Sequence, residues 1–268
     1  MLIIAFFFIY SQAIHATSLK QKFIVSQSMH YKDPIDLSFY GILRNPIIYE
    51  SSLLPSRSSD VLIQGETLKA LASKIKNGPL PTVIDIERWT IYTLDKVVRD
   101  QNRTKLLNVL SILREARPDM KFGYYGVVPS RIYWPHVDKE LAIEKREWDL
   151  LNAAAFSDFV PYLDAIFPSL YTFYEDQSGW ENYAKQTLMA VKKFGKPVYC
   201  YLWPQYHDSN IKLKGQYLDK KYWRLELETC RKYSDGIVIW NVERNKVWDE
   251  DAPWWNETKD FLKTFENN

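Results

Sequence analysis

The sequence is short of charge imbalance, of cysteine and of long apolar runs, and each shortage removes a class of function. Its 35 lysines and arginines nearly cancel 33 aspartates and glutamates, leaving a formal charge of +2. That balance builds no strong field for nucleic acid, and no such partner is expected. No internal repeat, low-complexity tract or Pro/Gly-rich linker divides the 268 residues, so one domain is the economical reading. No Gly-rich phosphate loop follows any strand-like run, which argues against a nucleotide-binding open sheet. His15, His30, His136 and His207 lack the spacing of a zinc site, and neither a metal nor another cofactor is expected. Of the two cysteines, Cys200 falls in a strand pattern and Cys230 in a helical one, and their pairing stays open.

The longest uninterrupted apolar stretch is at residues 1–10, followed by small and polar residues around Ser11, Ala13 and Ala16. It has the length of a secretory signal and is short for a bilayer span. The expectation is a signal peptide over 1–16 and a secreted domain over 17–268 without stable membrane insertion, an uncleaved anchor being the alternative. Asn102-Arg-Thr and Asn256-Glu-Thr are sequons that would carry glycans only in a eukaryotic secretory pathway.

What is plentiful is aromatic: 15% of the residues, with 10 Trp and 18 Tyr. These side chains join a flat apolar face to a polar tip, the kind of surface on which sugar rings stack, although a core would use them equally well. Strand-like runs at 23–27, 46–49, 82–87, 121–128, 165–171, 197–203 and 236–241 alternate with amphipathic helical patterns. The helices are expected near 65–77, 94–116, 140–156, 180–194, 220–233 and 254–265. This alternation predicts an α/β fold, a (β/α) TIM-like barrel of seven or eight strands, with an open doubly wound sheet as the alternative.

Barrel active sites lie where strands end and the following loops begin. Those ends read Asp85-Ile-Glu87-Arg88-Trp89, Tyr124-Tyr125-Gly126, Ser169-Leu-Tyr171, Trp203-Pro-Gln205-Tyr206 and Trp240-Asn241-Val-Glu243. Residues two apart in a strand share a face, so Asp85 and Glu87 stand on one wall with Cβ atoms roughly 6.6 Å apart. Neighbouring carboxylates resist ionising together, so one keeps its proton to higher pH. Glu87, nearer the strand end, is read as that acid; a rim pair neutralised by Arg88, Arg131 or Arg244 would look the same. Glycosidases usually set two carboxyl groups on either side of the scissile bond, which neighbours on one strand do not manage. The nucleophile would then come from the substrate, as a 2-acetamido group oriented by Asp85, or from another strand, with Glu243 the candidate.

The segment Ile84-Asp85-Ile86-Glu87-Arg88-Trp89 resembles the Asp-x-Glu strand motif of the hyaluronidase family of glycoside hydrolases. The blocks 166–171, 197–203 and 236–240 resemble three further family blocks in the same order, together covering most of Thr82 to Asn245. The resemblance implies an endo-acting, retaining, substrate-assisted enzyme on β-linked N-acetylhexosamine polysaccharide of hyaluronan or chondroitin type. It implies Glu87 as acid/base, Asp85 as the group positioning the acetamido arm, Tyr171 near the acetamido oxygen and Trp240 as the floor of the sugar pocket. Tyr206 is chosen as the remaining site tyrosine, with Tyr201 close by, and the strand ends add Trp203, Tyr125 and Trp89 as binding residues. The sequence departs from the family at Ile86, where a Trp is usual, at Arg88 and in its two cysteines, and the similarity fades before Thr82. A carbohydrate-binding barrel without turnover and a structural or adhesive protein are the readings from other classes.

Overall fold

The computed structural model describes residues 23–54 and 64–266, and the apolar run at 1–10 lies outside them. The strands are β1 (Ile24–Gln27), β2 (Leu43–Arg44), β3 (Ile47–Tyr49), β4 (Thr82–Asp85), β5 (Phe122–Tyr124), β6 (Tyr199–Leu202) and β7 (Gly236–Ile239). All named pairings are parallel, and they form one sheet in the order β2-β1-β7-β6 and another in the order β3-β4-β5. The run 165–171 stands between the sheets without being a continuous strand: Ile166 bridges Val198 beside β6, and Phe167 bridges Tyr125 beside β5. On the other side, Asn45 N donates to Gln27 O at 2.8 Å while Val83 N donates to Pro46 O at 3.1 Å. The short stretch from β2 through β3 therefore serves both sheets. The result is a seven-staved (β/α) barrel whose ladder is interrupted at two seams rather than closed continuously.

Alternation along each stave divides the core in two. Val83, Tyr125, Ala165, Phe167, Tyr171, Tyr199, Tyr201, Trp203 and Val238 pack together inside the barrel. Their neighbours Ile84, Phe122, Ile166, Cys200, Leu202, Ile237 and Ile239 face outward into the larger cluster beneath the helices. Interior space is tight where aromatic rings crowd it: a Cβ on Gly123 would meet Ala165 O at 2.5 Å and the Phe167 ring at 2.7 Å.

The outer layer is α1 (Glu50–Leu53), α2 (Gly65–Ala72), α3 (Lys96–Ala116), α4 (Trp134–Val137), α5 (Ala142–Asp158), α6 (Gln177–Lys192), α7 (Lys220–Tyr233) and α8 (Pro253–Glu266). Six of them match the amphipathic patterns read from the sequence, and α1 and α4 are single turns too short to leave a period. Three of the long helices start on aspartates, with Asp95 accepting from Val97 N and Val98 N, Asp176 from Gly179 N and Asp219 from Tyr222 N. Each such cap stabilises its helix by about 1 kcal/mol. Six tryptophans, Trp89, Trp148, Trp180, Trp223, Trp254 and Trp255, are wholly buried, so much of the aromatic excess fills the core.

Cys200 and Cys230 are both buried free thiols, and Cys200 Sγ donates to Ser234 Oγ at 3.3 Å. Asn102 of the first sequon is buried on α3, where its Nδ2 donates to Thr90 O at 2.8 Å. Among the described residues no helix is long and apolar enough to cross a membrane.

Candidate active site

The chain leaves the C-terminal ends of the staves into a cleft whose two walls differ in chemistry. Asp85 and Glu87 form one wall, continuing the inward face begun by Val83, and Tyr171, Tyr201, Trp203 and Trp240 form the other. The cleft holds about 180 Å³. A second lobe of about 190 Å³ lies beside it over Trp89, Ile91 and Val127, and the two share Glu87, Tyr125 and Arg131. Glu87 and Arg131 therefore stand on the divide between two hollows of similar size.

On the acidic wall, Asp85 is half-buried and Glu87 reaches outward, its side chain 59% exposed. Burial pushes the Asp85 carboxyl up to about 7, and the negative charges of Glu87 and Glu50 add to the rise while Arg131 opposes it. Asp85 is the deeper member of the pair, with a carboxylate on either side, and its proton affinity is raised accordingly. Of the arginines that could neutralise the pair, Arg88 is turned away, its Nε donating to Glu50 Oε1 at 2.7 Å. Arg131 does approach, with Nη2 at 3.6 Å from Glu87 Oε2.

On the aromatic wall, the rings of Tyr171 and Trp240 stack at 5.5 Å with planes 19° apart, and Trp203 meets both edge-on. Trp240 Nε1 donates to Tyr49 Oη at 3.0 Å, and Tyr49 Oη lies 2.6 Å from His30 Nε2. Burial, with Arg44 and Arg244 nearby, lowers His30 to about 4, so near neutral pH its ring is uncharged and Nε2 can accept from Tyr49. Tyr125 Oη pairs with Ser169 Oγ at 2.9 Å. The rings of Trp240 and Tyr125 are thereby held in orientation before anything binds.

Of the residues singled out in the sequence, Asp85, Glu87, Tyr125, Tyr171, Trp203 and Trp240 come together in the cleft. Trp89 is buried under the second lobe. Tyr206 is not brought there. Its ring packs edge-on against Tyr222 of α7, and the interior tyrosine of that stave is Tyr201. Tyr206 has the outward parity of Cys200 and Leu202, opposite to that of Tyr199, Tyr201 and Trp203, and it joins their outer cluster while its own N–H donates to Gln216 O at 3.0 Å. Glu243 is also set apart: Oε1 accepts from Gln205 Nε2 at 2.9 Å, Oε2 accepts from Tyr217 Oη at 2.6 Å, and Lys246 pairs with it.

The cleft also holds His207 and Asp208, which the sequence reading had not counted as site residues. They sit in the loop after β6, where no periodicity marks direction; their place directly after Tyr206 was the one available signal. Among the described residues no group of histidine, cysteine, aspartate and glutamate is gathered in a way that could hold a metal ion.

No family model and no curated protein matches this sequence. Solved structures do. The crystal structure of bee venom hyaluronidase aligns over 92% of this chain and 98% of its own, with a TM-score of 0.59 and 15% identity. Bee venom hyaluronidase in complex with a hyaluronic acid tetramer aligns over 92% and 97%, with a TM-score of 0.53 and 15% identity. At that identity the likeness is one of fold: this chain has an α/β, TIM-like barrel.

Proposed function

We propose that this protein is a secreted glycoside hydrolase that cleaves β-linked N-acetylhexosamine-containing polysaccharide of hyaluronan or chondroitin type. Glu87 serves as acid and base, and Asp85 orients the substrate's acetamido group. The observation that carries this reading is the cleft that gathers Asp85 and Glu87 from one stave with the stacked rings of Tyr171 and Trp240.

Glu87, the more exposed of the two, is the group with access to a glycosidic oxygen spanning the two lobes. Asp85 lies deeper and keeps a proton to about pH 7, so it can donate to an acetamido oxygen when neutral and accept from its N–H when ionised. An internal acetamido nucleophile suits a site whose acids share a wall, because it attacks from within the sugar without needing a carboxylate opposite. The fixed planes of Tyr171 and Trp240 offer a face for the sugar ring. Arg131 at the divide supplies a positive charge compatible with an acidic polymer. With both oxygens of Glu243 engaged, the alternative that makes it the nucleophile loses support.

Asp208, exposed on the rim of the same cleft, gives a second reading in which the opposing carboxylate is a residue of the protein. Release of reducing ends from hyaluronan, chondroitin and chitin by the purified protein, beside Glu87→Gln, tests the acid. Loss of about a hundredfold or more is expected of the variant, and equal release by both proteins would sink the assignment. A thiazoline mimic of the cyclised intermediate should inhibit. An active enzyme indifferent to it and abolished by Asp208→Asn would favour the second reading.

A further inference from the structure

Beyond the cleft, the aromatic wall continues outward as an unbroken run of rings. From Trp240 it passes to Tyr171 at 5.5 Å, to His207 at 6.1 Å, to Phe173 at 4.5 Å, to Tyr174 at 6.3 Å and to Trp134 at 4.8 Å. The first members are walls of the cleft and the last two are open to solvent, Trp134 being 50% and Tyr174 37% exposed. An exposed indole beside an exposed phenol offers a flat face of the kind on which a sugar ring stacks.

This outer pair is rigid. Trp134 Nε1 donates to Tyr174 Oη at 3.1 Å, which fixes the two planes relative to each other. Beneath them the buried Tyr133 meets Trp134 at 5.3 Å and Tyr174 at 4.9 Å, and Tyr222 Oη donates to the Tyr174 carbonyl at 3.1 Å. Arg131, which reaches into the cleft, lies with its guanidinium 5.7 Å from the Phe173 ring, so the charged divide and the ring track are in contact. Preorganised rings bind a flat apolar face with little further loss of side-chain freedom, and their hydrogen-bonded edges keep the surface polar enough to suit a partner rich in hydroxyls.

We propose that Trp134 and Tyr174 form a remote sugar-binding platform, on which a polysaccharide chain lies several rings away from the bond being cut. This rests on the reading of the cleft as a glycosidase site and deepens it: the substrate is a long chain engaged along the track, and short fragments that reach only Tyr171 and Trp240 do not profit from the platform. The platform contributes to binding alone, since neither residue touches the acidic wall.

The test uses the described cleft unchanged and substitutes only the platform. Retardation in native gels cast with long hyaluronan, chondroitin or glycol chitin is measured for the wild-type protein, Trp134→Ala, Tyr174→Ala and Trp134→Phe, beside cleavage of long and short oligosaccharides. The alanine variants are expected to bind long chains roughly three- to tenfold more weakly, with KM for long chains raised in step and short-fragment cleavage unaltered, while Trp134→Phe recovers much of the loss. Wild-type binding and cleavage of long chains by both alanine variants would overturn the platform. So would failure of all three polymers to retard the wild-type protein, or a self-association of the wild type that Trp134→Ala abolishes without any change in glycan binding. Retardation that depends on Trp134 in a protein releasing no reducing ends would leave the platform standing and sink the hydrolase reading instead.

Discussion

Trp240 Nε1 donates to Tyr49 Oη across 3.0 Å, so a ring at the end of β7 is steered by a hydroxyl at the end of β3, 191 residues earlier in the chain. Tyr49 is in turn 2.6 Å from the neutral His30, and the three side chains form a relay that sets the plane on which Tyr171 stacks. Tyr49→Phe removes the acceptor while keeping the ring. One lost hydrogen bond corresponds to about 1 kcal/mol, so KM should rise about two- to fivefold with kcat nearly unchanged. Steady-state kinetics on a cleaved polymer decide it; a fall in kcat with KM unaltered would mean that Tyr49 acts on the reaction and not on the plane.

Glu243 supplies a contrast between a structural and a chemical carboxylate. Its oxygens accept from Gln205 and Tyr217 and pair with Lys246, an arrangement that keeps its carboxyl below the usual range despite burial. Glu243→Gln should lower the melting temperature by about 2–4 °C while leaving kcat within about threefold of wild type. Loss of kcat by about a thousandfold at an unchanged melting temperature would instead make Glu243 the nucleophile.

Asp85 predicts a pH dependence of stability with a definite sign. Its folded carboxyl titrates near 7, above the ordinary value of 3.8, so the native state holds the proton more tightly than the unfolded chain. Stability from this group is fully present below about pH 4 and is lost as pH rises through about 7. Asp85→Asn is uncharged throughout, so in urea denaturation it should exceed wild type at about pH 8.5 in unfolding free energy by on the order of 1–3 kcal/mol, with the gain shrinking toward pH 4. His30 acts oppositely on the acid side: with its folded value at about 4, its contribution is lost as pH falls from about 6.5 toward 4. A wild-type urea midpoint flat between about pH 5 and 8.5, with Asp85→Asn parallel to it, would remove the buried-proton account.

Much of this was written in local pattern. The inward parity of Val83, Asp85 and Glu87 and of Tyr199, Tyr201 and Trp203 follows from the period of a strand, and that period sufficed to bring five strand ends to one cleft. The split of residues 43–49 between two sheets was not legible, because two-residue pairing leaves no alternation to count. Tyr206 was legible and misread: it is an odd number of residues from Trp203, so the same period turns it outward with Cys200 and Leu202 and leaves Tyr201 as the interior tyrosine. The rise at Asp85 was only partly legible, because burial dominates it and the neighbouring Glu50, which adds to it, lies 35 residues away in the chain. Arg131, His207 and Asp208 enter from loops, whose direction only the assembled barrel defines.

Glu226 carries the last prediction. It lies on α7 wholly buried, accepts from Thr172 Oγ1 at the end of the 165–172 stave, and leaves Oε2 without a hydrogen bond. Burial pushes its carboxyl well above the ordinary carboxylate range, so the folded protein holds this proton more tightly than the unfolded chain does. By the same linkage as Asp85, its stabilising share is whole below the unfolded value and declines as pH rises through the folded one. Glu226→Gln keeps the shape and an acceptor for Thr172 without a titrating proton. It should match wild type within about 1 kcal/mol near pH 5 and surpass it increasingly under alkaline conditions. Glu226→Ala removes the acceptor and opens a cavity, and should cost about 2–4 kcal/mol at every pH. Denaturant midpoints of the three proteins across that range separate the effects. A glutamine variant as unstable as the alanine one would mean that the carboxylate charge itself, and not a neutral hydrogen-bonded group, holds α7 against the stave.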